Sequence, residues 1–226
     1  MNERKEILGI GIDCLSAKES MLCAMRYMEN TPVDTIEIIT MDTLLGCRGD
    51  EAWEEQTESL GLLLPGAPEM LEAAGIRDEL REKEIRNRTF LKIFLKYLQK
   101  NRKKTYLLAS EERDMEKLKN ALRRMSRGLH ITGAELIHPA DGREDEVVNY
   151  INATETDCII SVLPSPYQEA FISRNRSLLN VKLWLGFGAV LAETCEGGTG
   201  NRIARFLQKL TFRRQAGKQQ KNNTFL

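Results

Sequence analysis

The stretch Asp157–Asn175, D-C-I-I-S-V-L-P-S-P-Y-Q-E-A-F-I-S-R-N, decides the fold. Its first seven residues form an apolar run rich in β-branched side chains, the composition of a strand buried on both faces. Pro164-Ser165-Pro166 breaks that run, and a helix is expected over Pro166–Asn175. A strand that hands over at a short turn to a helix is the first half of a βαβ unit. Val181–Phe187 supplies the returning strand.

The same alternation extends in both directions. Ile7–Ile12 reads as a first strand ending at Asp13. Ser16 is placed to N-cap a helix over Ala17–Met28, with Glu19 completing a capping box. Thr35–Thr40 is a β-branched strand, and Asp42 precedes a helix running to about Ser59. Leu62–Leu64 is a short apolar run ended by the turn Pro65-Gly66-Ala67-Pro68. Glu69–Ala74 is then helical, with Gly75 as its stop. Thr89–Lys100 carries Phe90, Ile93, Phe94, Tyr97 and Leu98 at helical spacing. Thr105–Ala109, the helix Glu112–Arg127, the weaker strand Leu129–Ile137 and the helix Asp145–Asn152 complete the body. The expectation is an α/β domain over 1–196, with a mainly parallel sheet covered by helices on both faces.

Composition narrows the classes. The chain has 226 residues, 42% of them apolar, which is enough to build a core and excludes global disorder. No run reaches the roughly 20 apolar residues of a membrane span, and the charged start Met-Asn-Glu-Arg-Lys-Glu argues against a signal peptide. Five cysteines, widely spaced and without a C-x-x-C pair, read as reduced thiols, and no metal site is expected. The formal net charge is zero, with 33 basic and 33 acidic groups, but Glu196 is the last carboxylate. The seven basic groups after it leave 26 against 33 over residues 1–196, a net charge of −7.

Open parallel sheets bind ligands beyond the carboxyl ends of their strands. The exits that matter are Gly11-Ile12-Asp13, Thr40-Met41-Asp42, Pro65-Gly66-Ala67, Pro164 to Glu169 and Gly186-Phe187-Gly188-Ala189. None is a P-loop or a G-x-G-x-x-G fingerprint, and no serine–histidine pair has nucleophile-elbow spacing. His130 and His138 flank a strand and read as surface residues.

Ser165-Pro166-Tyr167-Gln168-Glu169, Arg174-Asn175 and Gly186-Phe187-Gly188-Ala189 together resemble the WecG/TagA/CpsF glycosyltransferase family. That family's pattern is a strand, a turn reading G-S-P-K-Q-E, a helix with an R-N pair, and G-V-G-A after the next strand. More loosely, I-L-G-I-G-I-D-C-L-S, I-I-T-M-D-T and T-Y-L-L-A-S resemble its earlier strand exits, so the similarity covers roughly residues 5 to 195. The resemblance implies a Rossmann-like fold and transfer of a hexosamine from a UDP-sugar to a polyprenyl-diphosphate-linked acceptor. It places the protein in the cytoplasm, peripheral to the membrane, with a nucleotide sugar and a lipid-linked glycan as partners and no cofactor. It implies a substrate cleft with Thr40, Gly66, Ser165, Gln168 and Gly188. The chain departs from the pattern where the chemistry sits. The T-x-N asparagine is Asp42, the P-D-G aspartate falls at Gly66, and the arginine of R-V-x-G-x-D aligns with Glu84. Asp42 is therefore either a replacement base or the N-cap of its helix, and the chain either an enzyme or a non-catalytic binder of a nucleotide sugar or partner enzyme.

Residues 197–226 form a basic appendage. Ile203, Phe206, Leu207 and Leu210 fall on one face of a helix over Arg202–Arg214, flanked by Arg202, Arg205, Lys209 and Arg213. Such a helix suits an anionic membrane surface, and Arg202, Arg205, Arg213 and Arg214 are candidates for a diphosphate or membrane contact. The alternative is a stripe packed on the protein's own core. Aromatic interleaving is too sparse for nucleic acid, a homo-oligomer is left open, and Gln215–Leu226 is expected to be disordered.

Overall fold

The computed structural model describes residues 4–188 together with Phe212. A hairpin comes first, β1 (Lys5–Ile7) and β2 (Ile10–Ile12), paired antiparallel. Six parallel strands follow: β3 (Asp34–Ile39), β4 (Leu62–Pro65), β5 (Lys104–Ala109), β6 (His130–Leu136), β7 (Cys158–Ser161) and β8 (Leu183–Gly186). They form one sheet in the order β4-β3-β8-β7-β5-β6. The helices are α1 (Ala17–Tyr27), α2 (Met41–Gly46), α3 (Glu51–Glu58), α4 (Glu69–Ala73), α5 (Glu79–Arg86), α6 (Thr89–Lys100), α7 (Glu112–Met125), α8 (Glu144–Ala153) and α9 (Tyr167–Asn175). The α/β, Rossmann-like expectation holds.

Strand periodicity divides the core. Ile36, Leu107, Ile160 and Leu185 point to one face and meet Met21 of α1, Phe94 of α6 and Leu118 of α7. Ile39, Leu108, Ile159 and Trp184 point to the other and meet the hairpin, Trp53 of α3, Ile151 of α8 and Phe171 of α9. Phe212 is fully buried in that second cluster. The rest of the basic appendage, with its apolar stripe and Arg202, Arg205, Arg213 and Arg214, lies outside the described residues.

Three expectations change. Ile7–Ile12 is not a strand of the sheet. Leu8 and Gly9 both take positive φ, 54° and 93°, and make the two-residue turn of the hairpin. Asp13 then closes the sheet's edge: its N–H donates to the Leu63 carbonyl at 2.7 Å, and its carboxylate accepts from the Leu63 N–H at 2.8 Å. The helix expected to run from Asp42 to Ser59 is two helices. Gly49 at φ +82° breaks it, and Asp50 caps α3 by accepting from the Trp53 N–H. The third change is α5, a helix with no fully buried residue, which apolar periodicity gave no reason to expect. The capping box at Ser16 and Glu19 is present as read from sequence.

Candidate functional site

The connection after β5 runs outward to β6, whereas that after β7 runs back to β8. Between β5 and β7 the winding reverses, and in such sheets the crevice opens beyond the strand ends at this point. A cleft of about 520 Å³ lies there. Ser110 and Glu111 line it after β5, and Val162 to Pro166 after β7. Asp42 and Thr43 of α2 contribute to its wall, with Glu37, Gln168 and Gly188.

The structure brings Asp42, Ser165, Gln168 and Gly188 together on this cleft. Asp42 is exposed in the first turn of α2. It is not the cap of that helix. Thr40 is, accepting from the Thr43 N–H at 3.2 Å and sharing a 3.0 Å bond with the Thr43 hydroxyl. Thr40 and Gly66 are both buried and do not line the cleft. The Gly66 N–H donates to the Ile39 carbonyl at 2.7 Å, and its own carbonyl accepts from the Arg88 guanidinium. Arg88 reaches that point from a left-handed backbone position at φ 54°, the N-cap of α6, so the turn that lacks an aspartate holds an arginine. Glu84 is taken up structurally, since its carboxylate accepts from the Ala17 N–H at 2.8 Å and caps α1. Arg174 and Asn175 both bond to Glu144, tying α9 to α8 away from the cleft wall.

Beneath the cleft sits a buried polar cluster that sequence reading did not assemble. Glu37 lies in mid-strand on β3, only 3% exposed, and Glu169 on α9 is 1% exposed. The Gln168 Nε2 donates to Glu37 Oε1 at 2.9 Å, and the Ser165 hydroxyl donates to Glu169 Oε1 at 2.6 Å. Burial pushes the Glu37 carboxyl well above the usual carboxylate range. The charge of Glu169 and a hydrogen bond to it add to the rise, and the Gln168 bond opposes it. The buried pair therefore favours the proton-bound form of Glu37 more than water does. Cys47 looks onto the same pair, and burial, Glu169, Asp50 and Glu37 raise its thiol to about 11, so it carries no thiolate. The only sequence signal for Glu37 was its oddity as a charge within the run T-I-E-I-I-T.

Two glycines explain why the Gln168 turn and the later G-x-G-A segment belong together. A Cβ on Gly186 would fall 2.7 Å from Gln168 Nε2, so the amide lies flat on β8 where no side chain stands. A Cβ on Gly188 would fall 2.7 Å from the Leu163 carbonyl oxygen, a backbone atom that cannot swing aside. Gly188→Ala should therefore lose about 1–3 kcal/mol in urea denaturation, the usual scale of overpacking. Gly186→Ala should lose less, because the atoms it meets are the end of a side chain rather than backbone. Equal losses in the two variants would contradict this assignment.

Charge in the cleft is mostly negative. Lys117 is the one cation among the described lining residues, and it pairs with Asp114 at 3.2 Å. No group of three or more metal-ligating side chains occurs among the described residues, and no described helix is long and apolar enough to cross a membrane. The arrangement offers an exposed carboxylate, Asp42, opposite a polar floor at Gln168 and the Ser165 turn. It suits proton removal from a hydroxyl held between them. No curated protein matches the chain in sequence. The family model described as "Glycosyl transferase WecG/TagA/CpsF family" matches residues 5–213 of the 226.

Proposed function

We propose, on the premise that the chain belongs to the WecG/TagA/CpsF glycosyltransferase family, that it moves a hexosamine from a UDP-sugar to a polyprenyl-diphosphate-linked acceptor in surface-polysaccharide synthesis. The observation that carries this reading is Asp42 on the wall of the switch-point cleft that Gln168 and Ser165 also line. In an inverting transfer the acceptor hydroxyl attacks the anomeric carbon as UDP departs with the bonding pair. A carboxylate takes the hydroxyl proton, and Asp42 fills that role here. Gln168 and the turn at Ser165 hold the donor. The diphosphate needs positive charge, which the described cleft lacks. Arg202, Arg205, Arg213 and Arg214 supply it in this reading, and Phe212, beside Arg213 in sequence, is buried in the body's core. The same tail meets the anionic cytoplasmic face of the membrane in a salt-sensitive contact.

A second reading, a binder of nucleotide sugar without turnover, draws on Gly66 and on Glu84 being taken up as a helix cap. Calorimetric titration with UDP-N-acetylhexosamines tests what the two readings share. Wild type should bind, Gln168→Ala should bind at least tenfold more weakly, and a chain ending at Gly200 should also be weakened. Equal affinity in wild type and Gln168→Ala removes Gln168 from the site. No binding to wild type sinks both readings.

A further inference from the structure

A side-chain amide has a donating end and an accepting end, while a carboxylate oxygen facing it as acceptor can engage only the donating end. The Gln168 Nε2 donates to Glu37 Oε1 at 2.9 Å, which aims the donating end of the amide at Glu37. The opposite end, Gln168 Oε1, has no hydrogen-bond partner among the described residues, although Gln168 is only 1% exposed. Both residues line the cleft. A buried acceptor left without a partner is costly unless a ligand or water supplies the donor.

The geometry points to Glu37 as a positioning residue: we propose that it clamps the Gln168 amide so that Oε1 faces the ligand as an acceptor, and the cleft thereby selects a sugar presenting an N–H or O–H at that point. The inference rests on the nucleotide-sugar reading for the identity of the ligand. The clamp itself does not. Glu37 is bordered from α9 by Glu169, which is itself fixed by the Ser165 hydroxyl. Gly186 leaves the space that the amide occupies against β8, since a Cβ there would fall 2.7 Å from Gln168 Nε2. The chain of contacts Ser165–Glu169–Glu37–Gln168 thus runs from the turn to the sheet and back to the cleft.

Conservative rescue separates positioning from bulk structure. In Glu37→Gln, Glu169 takes the new amide's N–H₂ end, which turns its oxygen toward Gln168 and preserves the clamp. Glu37→Leu fills the same buried volume with no acceptor, and Glu37→Ser serves instead if the leucine variant does not fold. The first readout needs no ligand. In ¹⁵N-labelled protein the Gln168 side-chain amide protons should exchange slowly in wild type and Glu37→Gln, and at least tenfold faster in Glu37→Leu. The second is calorimetric titration with UDP-N-acetylglucosamine. Affinity should stay within about threefold in Glu37→Gln and fall at least tenfold in Glu37→Leu. Equal amide exchange in wild type and Glu37→Leu overturns the clamp whether or not a sugar binds. Slow exchange in wild type with unchanged affinity in Glu37→Leu overturns its role in selection. A wild type that binds no UDP-sugar rejects the ligand reading, and the exchange data then decide the clamp alone.

Discussion

Asp42→Asn should lower sugar transfer by about 10²–10⁴-fold while leaving donor affinity within a factor of a few, the loss expected when a general base goes and its shape stays. The substitution keeps the size and shape of the side chain, and it removes the charge and the basic oxygen that takes the proton. Competing carboxylates on the cleft are poorer candidates on physical grounds. Glu37 is only 3% exposed and its Oε1 already accepts from the Gln168 amide. Asp114 is engaged by Lys117 at 3.2 Å. Glu111 is the remaining lining carboxylate, so Glu111→Gln is the matched control and should retain most of the rate. The measurement is UDP release in the presence of a polyprenyl-diphosphate-linked sugar. Transfer that survives Asp42→Asn undiminished rejects Asp42 as base. A wild type without turnover, gaining it on Gly66→Asp, favours the non-catalytic reading.

The fold was largely legible because its parallel strands are buried on both faces and read as short apolar runs. Thr35–Thr40, Thr105–Ala109 and Asp157–Leu163 carried that signal, and the sheet contains all three. Failures came where local backbone geometry overrode composition. Leu8-Gly9 turns the chain inside the uninterrupted apolar run Ile7–Ile12, where only the glycine hinted at a hairpin. α5 has only Leu80 and Ile85 as apolar residues, too few to give a periodic stripe to read. The site was legible in part for a related reason. Ser165, Gln168 and Gly188 sit in a continuous strand–turn–helix context, so a linear motif finds them. Glu37 meets Gln168 across 131 positions of sequence, through strand order alone, and no local pattern encodes that neighbour. Thr40 and Gly66 show the converse: both stand at strand exits, yet their polar groups are used in a helix cap and in an arginine contact.

The buried carboxyl pair has a thermodynamic consequence that can be measured without substrate. In the unfolded chain Glu37 ionises near the ordinary value of 4.5; in the fold its value is raised, by burial first and by Glu169 second. Below the unfolded value both states hold the proton, and the cluster's contribution to stability is complete. Above it the unfolded chain has released a proton that the folded chain keeps, so stability declines as pH rises. The decline continues until the pH passes the folded value. One retained proton gives a limiting slope of about 1.4 kcal/mol per pH unit. Glu37→Gln removes that proton while keeping an acceptor for Gln168 and a donor for Glu169. Wild type and variant should therefore melt close together near about pH 4.5 and separate steadily above it, the variant being the more stable. The gap keeps widening until the pH reaches the raised folded value, and it is read as a melting-temperature difference that grows with pH. Comparing the two proteins at each pH cancels the titration of groups that both carry. A gap that stays constant with pH would mean that Glu37 is ionised in the fold. The pair would then hold two adjacent buried charges, and the clamp on Gln168 would be a carboxylate rather than a carboxylic acid.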